Sequence, residues 1–188
     1  MKKIESFKEY INLASRTLPD LGSEEDNSLH MKMGLETEKG EFLDVFKKFH
    51  AYKKPIDWVN VGEELADYLW YSAGLITFSL KYNKSEEYLD DLEERLKESF
   101  KELKKSFNEE TVEKREAPVV VALNFYTDLG SSINDIYKIY YYCLYADLDF
   151  WQILTNNIEK LKVRFPEKFT EDKALNRDLD SERKQLEK

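Results

Sequence analysis

The chain has 188 residues, 36% of them charged and 14% aromatic, with a formal net charge of −9; that length buries a sizeable core as one domain, and the acidic balance argues against duplex nucleic acid, whose backbone is bound by clustered Lys and Arg. A single cysteine, Cys143, excludes an internal disulfide, and no Cys/His cluster has zinc-ligand spacing. The N-terminus Met1-Lys2-Lys3-Ile4-Glu5 lacks the apolar stretch of a secretory signal, and no apolar run approaches the ~20 residues of a membrane span, so a cytoplasmic protein without a membrane partner is expected.

Only six glycines and four prolines interrupt a chain rich in Leu, Glu, Lys and Tyr, which predicts an all-α protein with long helices. Residues 4–17 read as a short amphipathic helix with Phe7, Tyr10, Ile11 and Ala14 inward, ending before Pro19. Residues 19–28 read as a polar loop. A helix is expected over 29–53, with Leu35, Phe42, Val45, Phe46, Phe49 and Tyr52 on one stripe and Pro55 beyond its end. Asp57 or Asn60 caps the next helix, with Glu63 completing a capping box on Asn60. That helix runs to about Tyr82, with Val61, Tyr68, Tyr71 and Leu75 on one stripe and Leu65, Leu69, Ile76 and Leu80 on another.

A third long helix starts at Ser85 and carries the narrow stripe Leu89, Leu92, Leu96, Phe100, Leu103 and Phe107. Residues 108–117 read as a polar link, and Pro118 opens a helix reaching about Tyr145. Its tyrosines 137, 140, 141, 142 and 145 call for burial on more than one side, with a nucleobase-stacking face as the alternative. Residues 149–164 form a last helix, and 165–188 a polar tail that wraps the surface or a partner subunit.

Two acidic pairs break this pattern. Glu38-x-x-Glu41 and Glu64-x-x-Asp67 fall where the stripes of their helices call for core residues: Glu38 lies three after Leu35 and four before Phe42, and Glu64 lies between Val61 and Tyr68. A buried, unpaired carboxylate costs several kcal/mol, so inward acids need partners or a cation. Carboxylates at i and i+3 on two facing helices suit a hard divalent ion such as Mg2+, which takes oxygen ligands. Periodicity alone leaves two readings open, a cation site or solvated charges paired with lysines. A di-iron bundle is disfavoured, because neither His30 nor His50 follows a glutamate at Glu-x-x-His spacing. Gly40, inside the first pair, costs a helix about 1 kcal/mol relative to alanine, and either lets a backbone or ligand approach or serves packing alone.

The run from His30 through Gly34, Glu38 and Gly40 to Glu41, followed by Glu63-Glu64-Leu65-Ala66-Asp67 and Trp70-Tyr71, resembles the E-x-x-E and E-x-x-D signature of the MazG-like nucleotide pyrophosphohydrolases. Asn157, Lys160, Arg164-Phe165-Pro166 and Phe169, continuing to Ala174 and Arg177-Asp178, look like the closing segment of the short bacterial and phage-type members; Tyr10 and Arg16-Thr17 are similar too. The resemblance covers residues 8–82 and 148–183 and implies an all-α helical bundle of the all-α NTP pyrophosphatase type, as a single domain over 1–188. It implies hydrolysis of a nucleoside triphosphate between its α- and β-phosphates, with Mg2+, or Mn2+ in its place, held by Glu38, Glu41, Glu64 and Asp67. Among these Glu41 is the first choice for general base, with Glu38 beside it as a catalytic carboxylate. Asn157, Lys160 and Arg164 would bind the substrate, Arg164 by a bidentate fork. Trp58, Trp70 and Tyr71 are candidate walls for the base.

Residues 83–147 have no counterpart in the short members, and read as a helical hairpin inserted in the domain. The family's habit of building sites between subunits implies a homo-oligomer, dimer or tetramer, in which the hairpin replaces a partner's helices or creates a new interface. The competing reading is a helical nucleotide-binding or protein-interaction module that has lost turnover.

Overall fold

The computed structural model describes residues 1–83, 86–109, 118–130 and 134–187. Among them the chain is all-α, with no strand: α1 (Phe7–Ala14) with a 3-10 turn at Ser15–Thr17, α2 (Glu24–Tyr52), α3 (Trp58–Asn83), α4 (Glu86–Glu109), α5 (Pro118–Asp128), α6 (Asn134–Ala146), α7 (Phe150–Arg164), α8 (Glu171–Leu175) and α9 (Leu179–Leu186). No helix among the described residues is long and apolar enough to cross a membrane.

Short polar side chains start these helices by accepting from an otherwise orphaned N–H of the first turn. Ser6 takes the N–H of Glu9 at 3.0 Å, Asp57 that of Asn60 at 3.1 Å, and Asp149 that of Gln152 at 3.0 Å. The cap of α3 is therefore Asp57. The capping box proposed on Asn60 does not form, and Glu63 turns to Lys160, 3.1 Å away. α2 begins at Glu24 rather than near Leu29. Ser23 caps it through the N–H of Asp26 at 3.0 Å, and Glu24, Glu25 and Asp26 complement the positive end of the helix, so much of the expected loop is helical.

α2 and α3 form the spine of the fold. Their contacts run antiparallel, each turn up α2 matched by a turn down α3: Phe46 meets Trp58, Gly34 meets Tyr71, and Met31 meets Gly74. The approach is close because two glycines permit it. A Cβ on Gly34 would lie 2.1 Å from the Tyr71 ring, and one on Gly74 2.2 Å from the sulfur of Met31. The same register brings Glu38 level with Asp67 and Glu41 level with Glu64. Leu35, Phe42, Val45 and Phe46 are buried as the stripe requires, but Phe49 and Tyr52 are exposed. The reason is length: α3 starts at Trp58, opposite Phe46, so it does not reach the last turn of α2.

Among the described residues, 83–147 hold three helices, where a hairpin of two was expected. The long helix read from Pro118 to Tyr145 is broken after α5. The carbonyl of Leu129 accepts from the Lys39 ammonium at 3.0 Å, that of Asp128 from Lys138, and the Gly130 N–H donates to the carboxylate of Asp135, the first turn of α6, at 3.2 Å. Cations thus satisfy the end of one helix and a carboxylate receives the N–H leading to the next. Asp135, fully buried, also accepts from Tyr68 at 2.6 Å, fastening α6 to α3.

The α6 tyrosines face several neighbours. Tyr140 stacks on Phe100 of α4 with ring centroids 3.9 Å apart, and Tyr142 on Phe125 of α5 at 4.5 Å, while Tyr141 is exposed. Burial on more than one side is what the structure shows for this helix. The expected polar tail contains α8 and α9, and it folds back on its own chain: Asn156 of α7 donates to the Leu186 carbonyl at 3.0 Å, and Arg183 reaches Asp57 at 3.0 Å.

Candidate functional site

Of the four carboxylates expected to share one site, three come together. Oxygens of Glu38, Glu41 and Glu64 lie within 4.8 Å of one another. Their exposure differs from the all-inward reading: Glu64 is buried, Glu38 half-buried, and Glu41 open to solvent. Glu41 follows Glu38 by less than a full turn, so it points away from the buried stripe, exposed yet still lining a cavity. Glu38 is pushed up to about 8 by burial, then by the charges of Asp67 and Glu41. Glu64 is pushed up to about 9 by burial, then by Asp67, Glu38 and Glu41. Burial first, and the neighbouring carboxylates after it, disfavour the charged form of both groups.

Asp67 faces this group but is claimed from the other side. Its Oδ1 accepts from Asn157 Nδ2 and its Oδ2 from Lys160 Nζ, each at 2.5 Å. Lys160 is fully buried and also reaches Glu63 at 3.1 Å. Burial alone would lower its ammonium, but Asp67 and Glu63 hold it above its ordinary value. Asn157, equally buried, has its Oδ1 3.0 Å from the Tyr10 hydroxyl, which lies 3.1 Å from the Ala66 carbonyl and has one proton to share between them. Asn157 and Lys160, expected at the substrate, therefore stand behind Asp67 and orient it, as outer-shell partners of a metal-binding carboxylate do.

The acids form one wall of a cavity of about 480 Å3. Trp70 and Tyr71 of α3 and His30 of α2 line it further along the helix pair, as expected for the two aromatics, and Trp58 lines a different hollow beside Ile153. His30 is edge-on to Tyr71 at 5.9 Å, its buried Nδ1 makes no hydrogen bond among the described residues, and burial lowers its pKa. Arg164 of α7 faces the cavity, and the tail closes it with Phe169 and Arg177. Arg164 is held by Glu182 of α9, with Nε to Oε1 at 2.9 Å and Nη2 to Oε2 at 2.5 Å. Gly40 is exposed with nothing within 4 Å of where a Cβ would stand, so it is no packing glycine of this chain; Gly34 has that role.

The donor set fits a hard divalent cation. Among the described residues every candidate ligand is a carboxylate oxygen, and neither sulfur nor imidazole joins the cluster. Glu63, Tyr10 and Glu182 were not anticipated as parts of the site. Glu63 and Tyr10 stood within the runs that resemble the MazG-like family without a role assigned, and their partners Lys160 and Asn157 lie far along the chain; Glu182 pairs with Arg177 five residues earlier and with Arg164. No family model matches the chain, and no curated protein or solved structure matches it either.

Proposed function

We propose that this chain is a divalent-cation-dependent nucleoside triphosphate pyrophosphohydrolase of the MazG-like kind, cleaving between the α- and β-phosphates of an NTP or dNTP to give the monophosphate and pyrophosphate. The observation that carries the reading is one cavity with a cluster of three carboxylates on one wall and guanidinium groups and aromatic rings on the others. Glu38, Glu41 and Glu64, with Asp67 beside them, would hold Mg2+ or Mn2+. When bound, the ion supplies neutralisation of the triphosphate and acidification of water.

The chain's own residues do the rest. Glu41, the most exposed of the cluster, accepts the proton of the attacking water as that water adds in line to the α-phosphorus and the bond to the bridging oxygen breaks, releasing pyrophosphate. Lys160 and Asn157 hold Asp67 from behind and keep its carboxylate pointed at the cluster. Arg164, which lines the same cavity, would offer its guanidinium to the phosphate oxygens, and Trp70 and Tyr71 would offer apolar faces to the base. The reading includes a cytoplasmic homo-oligomer, dimer or tetramer, which light scattering tests directly.

The experiment is a panel of NTPs and dNTPs with Mg2+ or Mn2+, read as phosphate released after adding inorganic pyrophosphatase. Turnover of at least one nucleotide, with the monophosphate as co-product, is expected. Turnover of none overturns the enzyme reading and leaves a binding module. Glu41→Gln and Glu64→Gln abolish turnover with helical circular dichroism intact; near-wild-type rates in both remove the cluster from the mechanism.

A further inference from the structure

Glu182 sits on α9 with 2% of its surface exposed, and a buried carboxylate needs one cationic partner. It has two. Arg164 grips both of its oxygens, and Arg177 donates to Oε2 through Nε at 3.2 Å and Nη2 at 2.8 Å. Two guanidinium groups on one carboxylate leave a surplus positive charge, and both arginines line the cavity that holds the acidic cluster. A guanidinium has five N–H donors, and Glu182 takes two from each. Among the described residues Arg177 has no other acceptor, and its side chain keeps 38% exposure. The charges of Asp67 and Glu63 reach Arg177 across the cavity.

We infer that Arg164 and Arg177, held side by side on Glu182, form a receptor for the phosphate oxygens of a polyphosphate ligand, with Arg177 a phosphate-binding residue and Glu182 its positioning residue. The ligand class rests on the triphosphate reading above. The geometry adds why a polyphosphate fits: the carboxylates lining the cavity accept a cation, the guanidinium pair lining the same cavity accepts oxyanions, and a chain of phosphates carries both. Glu182 sets the spacing of the pair, as a buried support shell does for a binding constellation. A structural salt bridge alone is already satisfied by Arg164, so the second, more exposed arginine is the part that predicts binding.

The test is calorimetric titration with inorganic tripolyphosphate in Mg2+, which needs no turnover, alongside steady-state kinetics on whichever nucleotide the wild type hydrolyses. Arg177→Gln weakens tripolyphosphate about tenfold to hundredfold, the range of a lost charge-assisted contact. Arg177→Lys restores part of that loss, because an ammonium keeps the charge without the fork. Glu182→Gln weakens binding as well, and Arg183→Gln, whose partners are Asp57 and Glu187 outside the cavity, leaves it unchanged. In kinetics the Arg177→Gln effect is a rise in KM. Wild-type affinity in Arg177→Gln, or no tripolyphosphate binding by the wild type, overturns the receptor. Arg177-dependent binding without hydrolysis of any nucleotide keeps the receptor and sinks the reaction; hydrolysis with unchanged KM and affinity in Arg177→Gln does the reverse.

Discussion

Replacing Lys160 by methionine tests how the carboxylate side of the cavity is held together. The ammonium is fully buried, 2.5 Å from Asp67 Oδ2 and 3.1 Å from Glu63 Oε1, and methionine keeps most of the side-chain volume while deleting the charge. Both acids then lose their cation beside Glu38 and Glu64, which burial and the neighbouring carboxylates already push up. Removing one partner of a buried pair costs about 3–5 kcal/mol, against about 1 kcal/mol or less for an exposed pair such as Arg183 with Asp57. In a chain of this size that is a fall in Tm of roughly 6–20 °C. Urea unfolding followed by helical circular dichroism in EDTA measures it, with Arg183→Gln as the exposed comparison. Adding Asp67→Asn to Lys160→Met returns part of the loss, because the stranded charge is gone, and the non-additivity gives the coupling. A Lys160→Met variant within about 1 kcal/mol of wild type refutes the view that this ammonium balances the acidic wall.

The same crowding gives a pH dependence. Above the ordinary carboxyl value of 4.5 and up to about 9, the folded chain retains protons on Glu38 and Glu64 that the unfolded chain has released, so metal-free stability falls as pH rises through that window. His30, lowered by burial, acts oppositely, its contribution being lost as pH falls through its ordinary 6.5, but it faces two larger shifts. Urea midpoints in EDTA are therefore lower at about pH 8.5 than at about pH 5.5, Glu64→Gln flattens the difference, and Mg2+ stabilises more at the higher pH; a midpoint that rises with pH in EDTA contradicts this. The two glycines of α2 separate cleanly. Gly34→Ala drives a methyl to 2.1 Å from the Tyr71 ring and costs about 1–3 kcal/mol despite better helix propensity, whereas Gly40→Ala meets nothing within 4 Å and gains up to about 1 kcal/mol. Equal thermal midpoints for the two variants would falsify that account.

What could be read from sequence was what is encoded within a few turns of helix. The stripe Leu35, Phe42, Val45 and Phe46 and the acids one turn apart obey the 3.6-residue period, so the two long helices and the meeting of Glu38, Glu41 and Glu64 were legible. Two local signals were outweighed. Ser23 with Asp26 is a helix start inside a run that looks like loop, and Leu129-Gly130 is a break inside a run whose apolar and tyrosine spacing looks continuous. The long-range pairings had no local signature. Lys160 meets Asp67 and Glu63 from another helix, and nothing in the spacing of Asn157, Lys160 and Arg164 distinguishes side chains behind the acids from those facing the cavity.

The glycine sockets of the α2–α3 pair act as a ratchet with one admissible tooth. Tyr71 fits only over Gly34 and Met31 only over Gly74, so a slip of one helical turn would drive ring or sulfur into a side chain. The lateral alignment of Glu38, Glu41, Glu64 and Asp67 is thus fixed by residues that bear no charge. For redesign, Glu38, Glu41 and Glu64 bear on the charge of the site rather than on how the helices mesh, while a methyl at Gly34 presses on the Tyr71 ring that sets the register.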